Sequence, residues 1–341
     1  MNIPKTLFLS GILLALALFA SPVAAKTPVI LDTDIGDDID DTWALVMLLK
    51  SPQLNLKLIT TTYGKAEYRC KLIAKLLTIA GRTDIPIGLG EGGREGTGGQ
   101  QAWLEGFSLK EYPGTVHQDG AAAIIELIAR SPQPVTVISI GPSNTLAAVL
   151  KRRPEVAGNA HFIGMQGSVF KGYNGGPVSA EYNVQVNVPA AQRVLSAPWK
   201  QITITPLDTC GLVVLSGERF QRLLSSEDRL VKALLENYRV WAKKERVGQL
   251  QASSVLFDTV AVYLAYADRP HVKFQTLPIS VTAEGFMKVD AQGTKMLVAT
   301  NWIDREGFYD LLLKTLTQPL DSSALDHHKG RTIRTMDQQQ N

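Results

Sequence analysis

Short apolar runs recur along the chain at 29–31, 56–62, 135–140, 162–165 and 202–204, each of a length suited to a buried strand. Between them lie longer stretches with helical patterning, at 40–50, 66–80, 120–130, 144–152, 189–195 and 254–267. Strand and helix in alternation predict an α/β fold, with a mostly parallel, Rossmann-like sheet flanked by helices. Nothing in the middle of the chain reads as a linker, and at 341 residues with 45% hydrophobic content the chain can bury one large core. One large domain over 26–330 is the simplest organisation.

The first strand runs straight into Asp32-Thr33-Asp34-Ile35-Gly36-Asp37-Asp38-Ile39-Asp40-Asp41, which places six carboxylates within ten residues. In an open α/β sheet ligands gather beyond the carboxyl ends of the strands, so this run stands where such folds build their sites. Alternation along an extended chain lets Asp32 and Asp34 point the same way. Gly36 permits a turn, and Asp40 and Asp41 then fall at a helix start, where the helix dipole favours negative charge. Converging carboxylates of this kind suit a hard cation, Ca²⁺ or Mg²⁺, rather than Zn²⁺. A helix-loop-helix Ca²⁺ loop is excluded, because counted from Asp32 its sixth residue is Asp37 instead of Gly and its twelfth is Trp43 instead of Glu. A strand followed by Asp-x-Asp also opens Mg²⁺-dependent phosphatases that use the first Asp, here Asp32, as nucleophile.

The acidic segment resembles the N-terminal signature of the nucleoside hydrolases, the inosine-uridine-preferring family of N-ribosylhydrolases, with two extra residues before the final Asp pair. Further similar segments follow in the family's order: Ile59-Thr60-Thr61-Thr62-Tyr63-Gly64, Ile140-Gly141-Pro142-Ser143-Asn144-Thr145-Leu146-Ala147, Gly164-Met165-Gln166-Gly167, Ala180-Glu181-Tyr182-Asn183-Val184 and Leu256-Phe257-Asp258. Together they span about residues 28 to 315. The resemblance implies the nucleoside hydrolase fold and Ca²⁺-dependent hydrolysis of the N-glycosidic bond, giving free base and ribose. Carried over by position, Asp34, Asp41 and Asp258 bind Ca²⁺ with the main-chain carbonyl of Asn144, and Asp34 also takes a proton from water. Asp40, Asn174, Glu181 and Asn183 contact the ribose, and Met165 packs beneath it.

Two positions depart from the family pattern. Lys65 stands where the family has an Asn near the ribose 5′ end, so a cation is offered there to an acidic or phosphorylated group. Phe257 replaces the His that protonates the leaving base in the pyrimidine-tolerant branch. The purine-specific branch has a Trp at that place, and Phe257, with Trp103 or Tyr173, can stack a purine. With these two changes the alternatives are a non-catalytic periplasmic nucleoside- or ribose-binding protein that keeps its Ca²⁺ site, or the phosphatase using Asp32.

Residues 1–25 carry Lys5, an apolar run and a small-residue Ser-Pro-Val-Ala-Ala end, which together read as a signal peptide cleaved before Lys26. A periplasmic or secreted protein without a stable membrane anchor follows, because the apolar run is shorter than the roughly 20 residues of a span. The 35 basic and 32 acidic residues give a net charge of +3, and removing Lys5 with the leader leaves +2. So small a charge argues against nucleic acid as a partner. The expected partner is a small N-riboside, and the resemblance adds a homo-oligomer. Cys70 and Cys210 could form a disulfide in an exported chain or remain free. The Gly-rich stretch 88–114, with Trp103 inside it, could form a lid, and the tail at 331–341 is expected to be disordered.

Overall fold

Ten strands form one sheet: β1 (Thr27–Thr33), β2 (Leu54–Thr61), β3 (Ile87–Gly88), β4 (Val116–His117), β5 (Val135–Ser139), β6 (Ala160–Met165), β7 (Gln201–Thr205), β8 (Val272–Val281), β9 (Met287–Val289) and β10 (Thr294–Trp302). The computed structural model describes residues 26–92 and 95–320, so the predicted leader at 1–25 and tail at 331–341 lie outside the described residues. Across the sheet the order is β4-β3-β2-β1-β5-β6-β7-β10-β8-β9. The chain therefore builds outward from β1 in one direction and then returns to build outward in the other. All neighbours from β4 to β10 pair in parallel, while β8 joins β10, and β9 joins β8, antiparallel.

Because successive side chains of a strand face opposite ways, each inner strand feeds two cores. Ile30, Leu58, Val137 and Phe162 pack on one face with α3 (Gly120–Arg130), α4 (Asn144–Arg152) and α6 (Val188–Leu195). Leu31, Ile59 and Ile138 pack on the other with α1 (Asp40–Leu49), α2 (Ala66–Ala80), α8 (Arg229–Trp241), α9 (Phe257–Leu264) and α10 (Arg305–Thr317). The remaining helices are α5 (Tyr182–Gln185) and α7 (Gly217–Leu224). All ten residues of α1 are buried, so this helix lies inside the domain and needs no polar face.

The predicted α/β architecture is present, with local differences. The helix expected over 254–267 starts only at Phe257, because the chain before it runs alongside 213–216: Ser253 N–H donates to Leu215 O (2.8 Å) and Leu256 N–H to Val213 O (2.8 Å). Strands β8 to β10 escape the apolar-run reading because exposed and half-buried positions outnumber the buried ones and Pro278 stands inside β8. Cys70 and Cys210 are both buried free thiols. Among the described residues no helix is long and apolar enough to cross a membrane.

Ile138 is fully buried in β5 between β1 and β6. Ile138→Ala should cost about 2–5 kcal/mol of unfolding free energy, read from urea denaturation. A loss within error of zero would mean that this face of the sheet is not a packed core.

Candidate active site

Strand order reverses between β1 and β5, and the crevice beyond such a reversal is where an open α/β sheet binds ligands. Asp34 follows β1 and Ile140 follows β5, so the acidic run opens into that crevice. The loop from Asp34 to Asp40 is held from every side. Gly36 turns it with φ +117°, and a Cβ there would lie 2.5 Å from the Tyr68 ring. The Tyr68 hydroxyl donates to Gly36 O (3.0 Å) and accepts from Gln100 N–H (3.1 Å). Gln100 Nε2 donates to Asp38 O (2.9 Å), and Trp241 Nε1 donates to Asp37 O (3.0 Å).

Arg69, fully buried in α2, does most to fix this loop. Its Nε donates to Gly64 O (2.9 Å), one terminal nitrogen donates to the carbonyls of Asp34 and Ile35, and the other reaches Asp37 Oδ2 (2.9 Å) and Tyr63 O (3.3 Å). All five guanidinium donors are thereby used, which is what keeping this group out of water requires. The same contacts brace Tyr63-Gly64-Lys65, three consecutive residues in the left-handed region.

The crevice is a cavity of about 350 Å³. Acidic side chains, Asp34, Asp37, Asp38, Asp40, Asp41, Glu181 and Asp258, share the lining with aromatic ones, Tyr173, Tyr182, Trp241 and Phe257. Asp40, Asp41 and Asp258 are buried, each with a carboxylate oxygen within 4.8 Å of the others. Burial first, then repulsion from neighbouring carboxylates, holds all three carboxyls well above the usual range. Burial raises Asp34 to about 6, with the Arg69 cation opposing and Asp37 adding to the rise. A buried carboxylate group of this kind is relieved by protons or by a cation. Its donors are all oxygen, which fits a hard divalent ion such as Ca²⁺ or Mg²⁺.

Most residues singled out in the sequence meet here. Asp34, Asp40, Asp41, Met165, Glu181, Asn183, Phe257 and Asp258 all line the cavity. Asn183 Nδ2 donates to Met165 O (3.1 Å) and Ile140 O (3.3 Å), while Glu181 accepts from the amides of Gly167 (2.8 Å) and Asn183 (2.8 Å). Asn144 is placed elsewhere. It borders a separate hollow of about 300 Å³ with Lys151 and Arg193, and the residue of its segment that lines the acidic cavity is Ile140. Asn174 is exposed on the turn Tyr173–Gly175, and it is its neighbour Tyr173 that enters the cavity wall. Lys65 does not line the cavity but pairs with Asp37, so its charge is spent inside the protein.

Asp32 is also outside the cavity. It is fully buried, accepts from Thr60 Oγ1 (2.6 Å), and burial holds its carboxyl well above the usual range, so it has neither the access nor the charge of a nucleophile. Trp103 is buried with the Lys75 ammonium 4.4 Å from its ring centre, and it is not a stacking partner in the cavity. The stretch 88–114 packs onto the acidic loop where it reaches it; a Cβ at Gly98 would lie 2.2 Å from Gly36 O. Sequence reasoning missed Tyr182 and Trp241. The first stands inside a quoted motif, and the second closes a helix whose Asp228 cap and apolar stripe were legible.

The profile of the inosine-uridine preferring nucleoside hydrolases matches residues 29–310. The pyrimidine-specific ribonucleoside hydrolase RihA of Salmonella paratyphi A is 28% identical over 325 residues, covering 85% of this chain and 98% of the relative. Among solved structures, a plant nucleoside hydrolase superposes with a TM-score of 0.72 at 24% identity, over 86% of this chain and 100% of that one. A purine-preferring ribonucleoside hydrolase from Gardnerella vaginalis gives a TM-score of 0.68 at 20% identity, over 85% and 98%.

Burial raises Glu181 from 4.5 to about 7. Between these values the native chain holds a proton that the unfolded chain has lost, so stability falls as pH rises through this window, by about 3 kcal/mol from this group in the metal-free protein. Glu181→Gln, which stays neutral, should lower stability at pH 4.5 more than at pH 7.5 and so narrow the difference between them, measured by urea unfolding. An unchanged difference would contradict the assignment.

Proposed function

The chain belongs to the inosine-uridine preferring nucleoside hydrolase family and is an N-glycosyl hydrolase; from that premise we propose that it uses Ca²⁺ to hydrolyse the N-glycosidic bond of ribonucleosides, with purine ribosides favoured. The observation that carries this reading is the buried set of Asp40, Asp41 and Asp258, which borders Asp34, Met165 and Asn183 in one cavity with aromatic side chains. Bound Ca²⁺ supplies the positive charge that keeps these carboxylates ionised and makes a nearby water more acidic.

Asp34 takes the proton of the water that attacks C1′, and the electron pair of the broken C1′–N bond leaves with the base. Asp40 holds ribose hydroxyls, and Met165, Glu181 and Asn183 fix the other faces of the sugar. Asp41 and Asp258 would hold the ion with Asp34. The main-chain oxygen that supports this set best is that of Ile140, which stands in the cavity wall and accepts from Asn183. Phe257 and Tyr173, with ring centres 6.2 Å apart, and Trp241 favour stacking of a two-ring base. The leader read from the sequence supports export, and the family resemblance supports association of identical copies.

Asp34→Ala should lower base release by roughly 10²–10⁴-fold, the range a positioned acid or base contributes. Chelation should abolish the wild-type reaction, and Ca²⁺ should restore it better than Mg²⁺. Chromatography of free base and ribose checks both, with purine and pyrimidine nucleosides run side by side. Wild-type rates from the variant would remove Asp34 from the mechanism, and faster release of pyrimidines would overturn the purine preference.

A further inference from the structure

A departing base must either be protonated or already carry a positive charge that the bond electrons neutralise. The aromatic side chains of the cavity offer poor acids. Phe257 has no proton to give, Trp241 Nε1–H is committed to Asp37 O, and no histidine lines the cavity among the described residues. The remaining aromatic donors are phenols. Burial pushes Tyr182 up to about 12, with Tyr63 adding to the rise, and burial also raises Tyr173. Both stay protonated at neutral pH and part with a proton reluctantly.

The same cavity is built to favour positive charge. Seven carboxyl groups line it, and the neighbouring cations Lys65 and Arg69 are both held on one of them, Asp37. The same cavity has Tyr173 and Phe257 set edge to face at 84°, and Tyr182 and Trp241 also line it, so aromatic rings border the space open to a base. Aromatic faces with nearby carboxylates are the chemistry that recognises an organic cation.

We infer that the preferred substrates are cationic N-ribosides, in which the heteroaromatic ring bears a fixed positive charge at or conjugated with the glycosidic nitrogen, as in N-ribosylpyridinium and N7-alkylated purine ribosides. The inference rests on the hydrolase reading and specifies its substrate. The water oxygen bonds to C1′, the C1′–N bond breaks with both electrons going to the ring, the ring leaves neutral, and one water proton passes to Asp34 and then to solvent. No acid and no co-reactant are needed.

Cationic glycosides are intrinsically more labile, so affinity and rate are read separately. On the Ca²⁺-loaded full chain, 1-methylnicotinamide and neutral nicotinamide are compared by calorimetry and as competitive inhibitors. The cation should bind roughly tenfold tighter or more, and the margin should shrink between about 0.05 and about 0.5 M NaCl. Relative to each compound's uncatalysed hydrolysis, nicotinamide riboside should be accelerated at least as much as inosine, and N7-methylguanosine at least as much as guanosine. Equal affinity for the two inhibitors, or a greater acceleration of the neutral nucleosides, overturns the inference, the latter pointing to a side-chain acid with Asp38 as the candidate. The hydrolase reading survives that result. It fails separately, if no riboside of either kind releases its base.

Discussion

Negative charge held out of water is the constraint on which the rest of this structure depends. Bringing several carboxylates together inside a protein is unfavourable unless hydrogen bonds and cations answer them. The fold answers in layers. The parallel sheet supplies a crevice at the reversal between β1 and β5, and the ends of β1, β5 and β6 and the start of α9 bring Asp34, Ile140, Met165 and Asp258 to it. Arg69, Tyr68, Gln100 and Trp241 then hold the loop backbone by its carbonyls, so that the side chains need not hold themselves. Asp40, Asp41 and Asp258 are left crowded together, answered by the Thr33 hydroxyl on Asp41 and the Asp258 amide on Asp40, and that crowding marks the site.

The two extra residues in the acidic segment illustrate how such a site tolerates change. The segment carries Asp37 and Asp38 before the final pair, and the structure meets Asp37 with Lys65 and Arg69, drawn from the left-handed turn and helix that follow β2. Lys65 therefore pairs within the protein and does not line the cavity, unlike the role that its position alone implied. Sequence pattern and local charge identified the residue; only the fold could name its partner, 28 positions away.

How much was legible follows the range of each interaction. The central strands and the acidic loop announce themselves because apolar runs and a cluster of carboxylates are local. Phe257 and Asp258 are adjacent, and their motif carries them together. Ile140 does not announce itself, since a main-chain carbonyl has no side-chain signature; the matched segment placed that oxygen on Asn144, which the fold turns toward another hollow. Trp241 lies 204 residues from the loop it braces, and its helix shows the apolar stripe Leu230, Leu234 and Tyr238 without saying which loop its last turn will meet.

A site of this kind should hold one hard divalent cation, its carboxyls keeping their protons until that cation arrives. Calorimetric titration of Ca²⁺ into chelator-stripped protein, in two buffers of different ionisation enthalpy near neutral pH, measures both parts at once. One Ca²⁺ should bind per chain, with net release of protons to the buffer. Absence of binding, or binding with the same heat in both buffers, would contradict it.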